Sequence, residues 1–129
     1  MKAHIRITRP TNKMQAIIRF YRDGLGLEKI NHYEDPNGFE SILFGKKGMD
    51  YHLEFTHEKG HVVKDAPSDE NMLVFYIPDQ DEWFEIIERM ERAGFNPVKP
   101  YNPSWEKKGV TFCDCEGYRV VLQNCMWQT

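Results

Sequence analysis

The chain has 129 residues, 40% hydrophobic and 29% charged, a balance that suits one globular domain with a real core. A formal net charge of −3 leaves no basic footprint, so nucleic acid is not an expected partner, and no apolar run approaches the ~18 residues of a membrane span. Three cysteines occur without a Cys-x-x-Cys, and Cys113 and Cys115 stand too close together for an ordinary disulfide or zinc knuckle. With an amino-terminal segment that lacks the apolar centre of a signal peptide, this points to reduced thiols in a cytoplasmic protein.

In chain order, residues 3–9 read as a strand in which Ile5 and Ile7 alternate with His4, Arg6 and Thr8. Pro10 closes it, and Thr11 or Asn12 is placed to cap a helix. That helix carries Met14, Ile17, Ile18 and Tyr21 on one face and stops at Gly24-Leu25-Gly26. Residues 27–33 return as a strand. Asp35-Pro36-Asn37-Gly38 is a turn, because proline presets one φ and glycine accepts a left-handed one. Residues 39–44 and 51–57 are the next strands, and residues 58–71 are a polar, aperiodic connector.

The pattern then repeats. Residues 72–77 form an apolar strand closed by Pro78-Asp79. A helix follows over about residues 80–92 with Trp83, Ile86, Ile87 and Met90 on one face and Gly94 at its exit. Its Glu85, Glu88, Arg89, Glu91 and Arg92 form the solvated side. Asn96-Pro97-Val98 is a short edge segment, and Tyr101-Asn102-Pro103-Ser104-Trp105 is a proline-braced aromatic loop. Residues 109–113 and 118–123 make a hairpin across Asp114-Cys115-Glu116-Gly117. Ile17 to Ile86 spans 69 residues and Gly24 to Gly94 spans 70, so one β-α-β-β-β unit is used twice: module one is about 3–57, module two about 72–125. Gly-x-Ser-x-Gly, P-loop and Gly-x-Gly-x-x-Gly motifs are missing from the sequence.

This order, with Phe20-Tyr21-Arg22-Asp23-Gly24-Leu25-Gly26-Leu27, Leu53-Glu54-Phe55 and Asp114-x-x-Gly117-Tyr118-Arg119, resembles the vicinal-oxygen-chelate superfamily. Its members include glyoxalase I, bleomycin-resistance and fosfomycin-resistance proteins, and extradiol dioxygenases. The resemblance implies an α+β fold spanning residues 1–129 as a single domain. Two βαβββ modules would form a cupped mixed sheet around a cavity, helices outside, usually in a homodimer. It also implies four metal ligands, one each from the first and last strands of each module. Those positions fall on Arg6, Glu54, Met72 and Val121. Only Glu54 suits a metal: arginine has no lone pair, valine no donor atom, and methionine is a poor ligand for hard or borderline ions.

A second set is open. By strand parity His4 shares a face with Arg6, and His52 with Glu54. His4, His52 and Glu54 would make a two-histidine, one-carboxylate site for a divalent metal ion if their strands are neighbours. Otherwise the histidines lie partly solvated near strand ends, or touch an organic ligand. Arg6 and Glu54 either pair structurally, or pair while Arg6 offers its other N–H groups to an anion, or leave Glu54 to act as a base. The same parity places Met72, Val74, Tyr76, Gly109, Thr111, Arg119, Val121 and Gln123 on the cavity side. Trp105 either covers a cavity mouth or packs on a partner or its own loop.

The reading reached from sequence is a cofactor-free protein that binds a small organic ligand through Arg6, Glu54, Tyr76, Trp105, Thr111 and Arg119, with no nucleic-acid or membrane partner. The alternatives are a metal-dependent glyoxalase-like lyase, an isomerase or a dioxygenase using His4, His52 and Glu54, and a scaffold dimer with a filled cavity.

Overall fold

A computed structural model describes residues 1–127, which fall into two compact units divided between Val63 and Lys64. Among the described residues no helix is long and apolar enough to cross a membrane. The fold class is α+β, as the repeat suggests.

The first unit runs β1 (Ile5–Pro10), α1 (Met14–Ile18), β2 (Glu28–Glu34), β3 (Phe39–Gly45) and β4 (Tyr51–Glu58). Its sheet has the order β1-β4-β3-β2, with β1 parallel to β4 and the other pairs antiparallel. The expected stripe Met14, Ile17, Ile18 and Tyr21 is buried, joined by Phe20. Alternation along β3 and β4 sends Ile42, Phe44, Leu53 and Phe55 into the core, and the Tyr21 and Phe55 rings lie 4.7 Å apart. The opposite side of β4 carries His52, Glu54 and Thr56.

Two details of α1 depart from expectation. Neither Thr11 nor Asn12 caps it. The Thr11 hydroxyl accepts from the Lys13 N–H at 3.0 Å, one residue too early. The Asn12 side chain instead exchanges hydrogen bonds with the Val63 backbone, whose N–H donates at 2.8 Å, and so anchors the end of the unit. The helix also widens. Over Arg19–Gly24 it becomes a π turn, with the Leu25 N–H donating to the Phe20 carbonyl at 3.0 Å. The left-handed stop is therefore Gly26, at φ 80°, rather than Gly24.

The second unit runs β5 (Met72–Tyr76), α2 (Gln80–Arg92), β6 (Gly109–Cys113) and β7 (Arg119–Gln123), with sheet order β5-β7-β6. The edge segment at 96–98 contributes one bridge, Val98 to Thr111. Pro97 has no N–H, so the ladder does not extend backward from that bridge. Helix α2 buries Met90 and points Trp83 inward, whose indole N–H donates to the Leu122 carbonyl at 2.9 Å. Phe112, Val120 and Leu122 are buried. Arg92 and Glu88 pair at 3.7 Å on the exposed side. The β6–β7 turn is tied by Asp114, whose carboxylate accepts from the Glu116 and Tyr118 N–H groups at 2.9 and 3.1 Å.

The start of α2 is closed by Asp79, which accepts from the Asp81 and Glu82 N–H groups at 2.9 and 3.4 Å. Asp79→Ala should lower stability by about 1 kcal/mol. The urea midpoint should fall with an unchanged slope; an unmoved midpoint would show that the cap contributes nothing.

Candidate functional site

The site in the first unit follows from one register. Strands β1 and β4 run parallel with Arg6 beside His52 and Thr8 beside Glu54. In-register strands align their faces, so His4, Arg6 and Thr8 meet His52 and Glu54 on the side away from the core. Strand β3 adds Ser41 from the other flank. The Thr8 hydroxyl donates to Glu54 Oε1 at 2.9 Å, and the Ser41 hydroxyl to Oε2 at 2.7 Å. Arg6 Nε donates to His52 Nε2 at 2.8 Å, and His4 Nε2 and His52 Nδ1 lie 2.6 Å apart. Arg6 Nη1 stands 3.8 Å from Glu54 Oε2.

These contacts fix proton positions. Arginine only donates, so His52 Nε2 accepts and its ring proton sits on Nδ1. That proton is shared with His4 Nε2, which must accept. Burial, then the electrostatic influence of Arg6 and of His4, hold His52 below the ordinary imidazole range, against a smaller opposing pull from Glu54. The Ser41 hydrogen bond is the main cause holding Glu54 below the usual carboxylate range; burial opposes it, and Thr8, Arg6 and His52 reinforce it.

A divalent ion needs lone pairs. Here the His52 Nε2 and His4 Nε2 lone pairs are engaged in hydrogen bonds. His4, His52 and Glu54 share a face but are not among the groups of described residues whose ligand atoms converge on one point. Among the described residues, the group whose nitrogen and carboxylate atoms do converge is elsewhere, on the β2–β3 hairpin. There His32 Nε2 lies 2.7 Å from Glu40 and 3.1 Å from Glu34.

What the β1–β4 face presents outward is a guanidinium. The Arg6 side chain is 51% exposed while Glu54 is 16% exposed, so the carboxylate sits beneath and the Nη donors above. Such a fork suits a carboxylate or phosphate bidentately.

The second unit has its own polar face. Strand pairing places Met72 beside Arg119, Val74 beside Val121, and Tyr76 beside Gln123. It also places Thr111 opposite Val121 and Gly109 opposite Gln123. Tyr76, Thr111 and Arg119 therefore share one face, as parity suggested, together with Gln123. Arg119 donates through Nη1 to the Lys99 carbonyl at 2.7 Å, and its Nη2 lies 3.8 Å from Asp69. Its buried Nε has no partner, nor do Thr111 Oγ1 and Gln123 Oε1. An unpaired buried polar group costs about 1–3 kcal/mol. Trp105 is half-buried in a short 3-10 turn, Pro103–Glu106, opened by Asn102 accepting from the Ser104 N–H at 3.0 Å.

Residue types alone did not single out Ser41, the strongest influence on Glu54. A serine in the otherwise apolar run Ser41-Ile42-Leu43-Phe44 was the available signal.

Comparison with known proteins agrees with this architecture. Solved structures of the same fold include the fosfomycin resistance protein FosX from Mesorhizobium loti, at TM-score 0.69 and 14% identity over 92% of this chain and 88% of that one. Another is TnmS3, an antibiotic-binding protein from Streptomyces sp. CB03234, at TM-score 0.64 and 18% identity over 95% and 94%. The paired modules are those of the vicinal-oxygen-chelate superfamily. Within it the match is closer to YycE of Bacillus subtilis (strain 168), an uncharacterized protein 40% identical over 95% of this chain and 88% of its own length. The crystal structure of a Bacillus subtilis YycE protein of unknown function superposes at TM-score 0.88 with 38% identity, covering 99% of this chain and 93% of that one. Models of the YycE-like N-terminal and C-terminal domains match residues 5–56 and 70–124. The chain belongs to the YycE-like family.

The depressed pKa values set a pH dependence. His52 is favoured neutral and Glu54 charged in the folded state, so both contribute stability that is complete above their unfolded values and lost on acidification. The urea midpoint should begin to fall below about pH 6.5, as His52 is forced to charge, and fall further below about pH 4.3, as Glu54 is protonated. His52→Gln should flatten the upper part and Ser41→Ala the lower. Superimposable profiles of wild type and His52→Gln between about pH 7 and 5 would refute the assignment.

Proposed function

We propose that this protein binds a small organic ligand without a metal, and that Arg6 holds an anionic group of that ligand, a carboxylate or a phosphate. The observation that carries this reading is the Arg6 Nε–His52 Nε2 hydrogen bond of 2.8 Å. It ties up an imidazole lone pair that a metal would need and leaves the arginine's outer N–H groups available. Glu54 aligns the guanidinium from below. Within the second unit, taken by itself, Tyr76, Thr111, Trp105 and Arg119 are the ligand-binding residues of this reading, where apolar area and a few polar groups are mixed as in small-molecule sites generally. An antibiotic-binding protein and a fosfomycin resistance protein with this fold support ligand binding as its use. The reading includes a homodimer, favoured by the exposed apolar Ile5 and Ile7 on the β1 edge. It also includes a cytoplasmic setting, favoured by the thiol state of Cys113, Cys115 and Cys125.

Protein purified without chelator should hold far less than one metal per chain by elemental analysis, and chelator should leave its melting temperature unchanged. A panel of small carboxylates and phosphate monoesters should include stabilising compounds, by ~2.7 kcal/mol at a hundred times the Kd. Arg6→Gln should abolish that stabilisation. A stoichiometric metal that disappears in His52→Ala would instead establish the metal-dependent alternative built on His4, His52 and Glu54.

A further inference from the structure

Two side chains on the β6–β7 face are almost wholly withdrawn from solvent, and each carries a buried oxygen without a hydrogen-bond partner. Thr111 is 3% exposed and Gln123 5% exposed. Thr111 Oγ1 and Gln123 Oε1 are both unpartnered. The register makes them diagonal neighbours on one face, since Thr111 opposes Val121 and Gln123 opposes Gly109. Diagonal positions of this kind lie about 7–8 Å apart, close enough for one small group to reach both side chains.

Glycine at 109 belongs to the same arrangement. A Cβ there would stand 2.7 Å from Gln123 Oε1 and 2.7 Å from the Trp105 carbonyl oxygen. The Gln123 amide therefore lies over a bare backbone, with its oxygen and a main-chain oxygen crowding the same spot. Both are acceptors. Thr111 adds a hydroxyl that accepts as readily as it donates. Val121 and Val74 form the apolar floor between them. Arg119 Nε, the buried donor without a partner on this face, stands four residues along β7, so the partner that Gln123 Oε1 lacks is an N–H or O–H group.

We infer that Gln123, with Thr111, determines specificity for ligands that carry a hydrogen-bond donor on a compact apolar body, such as primary amides. The inference rests on the ligand-binding reading but not on Arg6, so the two fail separately. An ester of the same shape presents only acceptors to Gln123 Oε1 and is rejected. A site built to bond a donor rejects an analogue without one far more strongly than a greasy pocket separates methylenes.

Benzamide and methyl benzoate, nearly equal in shape, are the probes. In heteronuclear NMR titrations of the full chain, benzamide should shift the Gln123 side-chain and Thr111 backbone signals and bind at least about tenfold more tightly than methyl benzoate. In Gln123→Leu the preference should fall to about twofold or less, with benzamide the probe that weakens. Because an unpartnered group has been removed, Gln123→Leu should melt no lower than wild type; Gln123→Met serves as a second variant of different shape. Equal binding of the two probes, binding of neither, or a preference that survives both substitutions would overturn the inference. So would a loss of stability in both variants, because it would mean that the Gln123 amide is already satisfied within the fold. Loss of carboxylate binding in Arg6→Gln, with amide selectivity retained, would leave this inference standing by itself.

Discussion

The parallel pairing of β1 with β4 is the constraint on which the first unit's chemistry depends. Strand side chains alternate with period two, so a one-residue slip would turn His52 and Glu54 away from Arg6 and Thr8 and carry Leu53 and Phe55 out of the core. The register is pinned just outside each end of the shared ladder. The Ile5 N–H donates to the Asp50 carbonyl at 2.8 Å, and the Thr11 N–H to the Thr56 carbonyl at 2.8 Å. Between these pins the apolar residues of β4 meet α1 while its polar residues are delivered to β1. Core packing and the polar network are consequences of a single alignment.

The two units use the same plan with opposite polar economies. In the first, the side chains at the superfamily's ligand end satisfy one another: Thr8 and Ser41 bond Glu54, Arg6 bonds His52, and His52 bonds His4. In the second, Thr111, Gln123 and Arg119 keep buried atoms without partners. A closed network holds its residues in place, whereas an open one leaves buried polar atoms that are costly to maintain.

Much of the fold could be read from spacing. The helical stripes at Met14–Tyr21 and Trp83–Met90 and the alternation around Glu54 reflect local periodicities; burial follows the first stripe closely, while in the second Met90 is buried and Trp83, Ile86 and Ile87 are half-buried. The wide turn at Arg19–Gly24 was not legible, because no residue type marks a π turn and Phe20 and Tyr21 fit an ordinary helix equally well. The helix cap was misjudged because Asn12 has a partner 51 residues away, at Val63. The site shows the same division. Face-sharing by Arg6 with His4 and by His52 with Glu54 follows from parity within a strand. The donation from Arg6 to His52, and with it the proton position on His52, depends on cross-strand register, which no local pattern encodes.

The fold also controls where this architecture can change in length. Between Phe95 and Lys108 the second unit is stitched to its sheet by the Val98–Thr111 bridge and by the Arg119 hydrogen bond to the Lys99 carbonyl. Residues gained or lost on the far side of those stitches would displace no ladder, whereas the same event within β1–β4 would scramble the register on which everything there relies. The loop holds Trp105, whose carbonyl stands 2.7 Å from where a Gly109 Cβ would be, so a change in its length would reshape the surroundings of Gln123 while leaving the ladders in place.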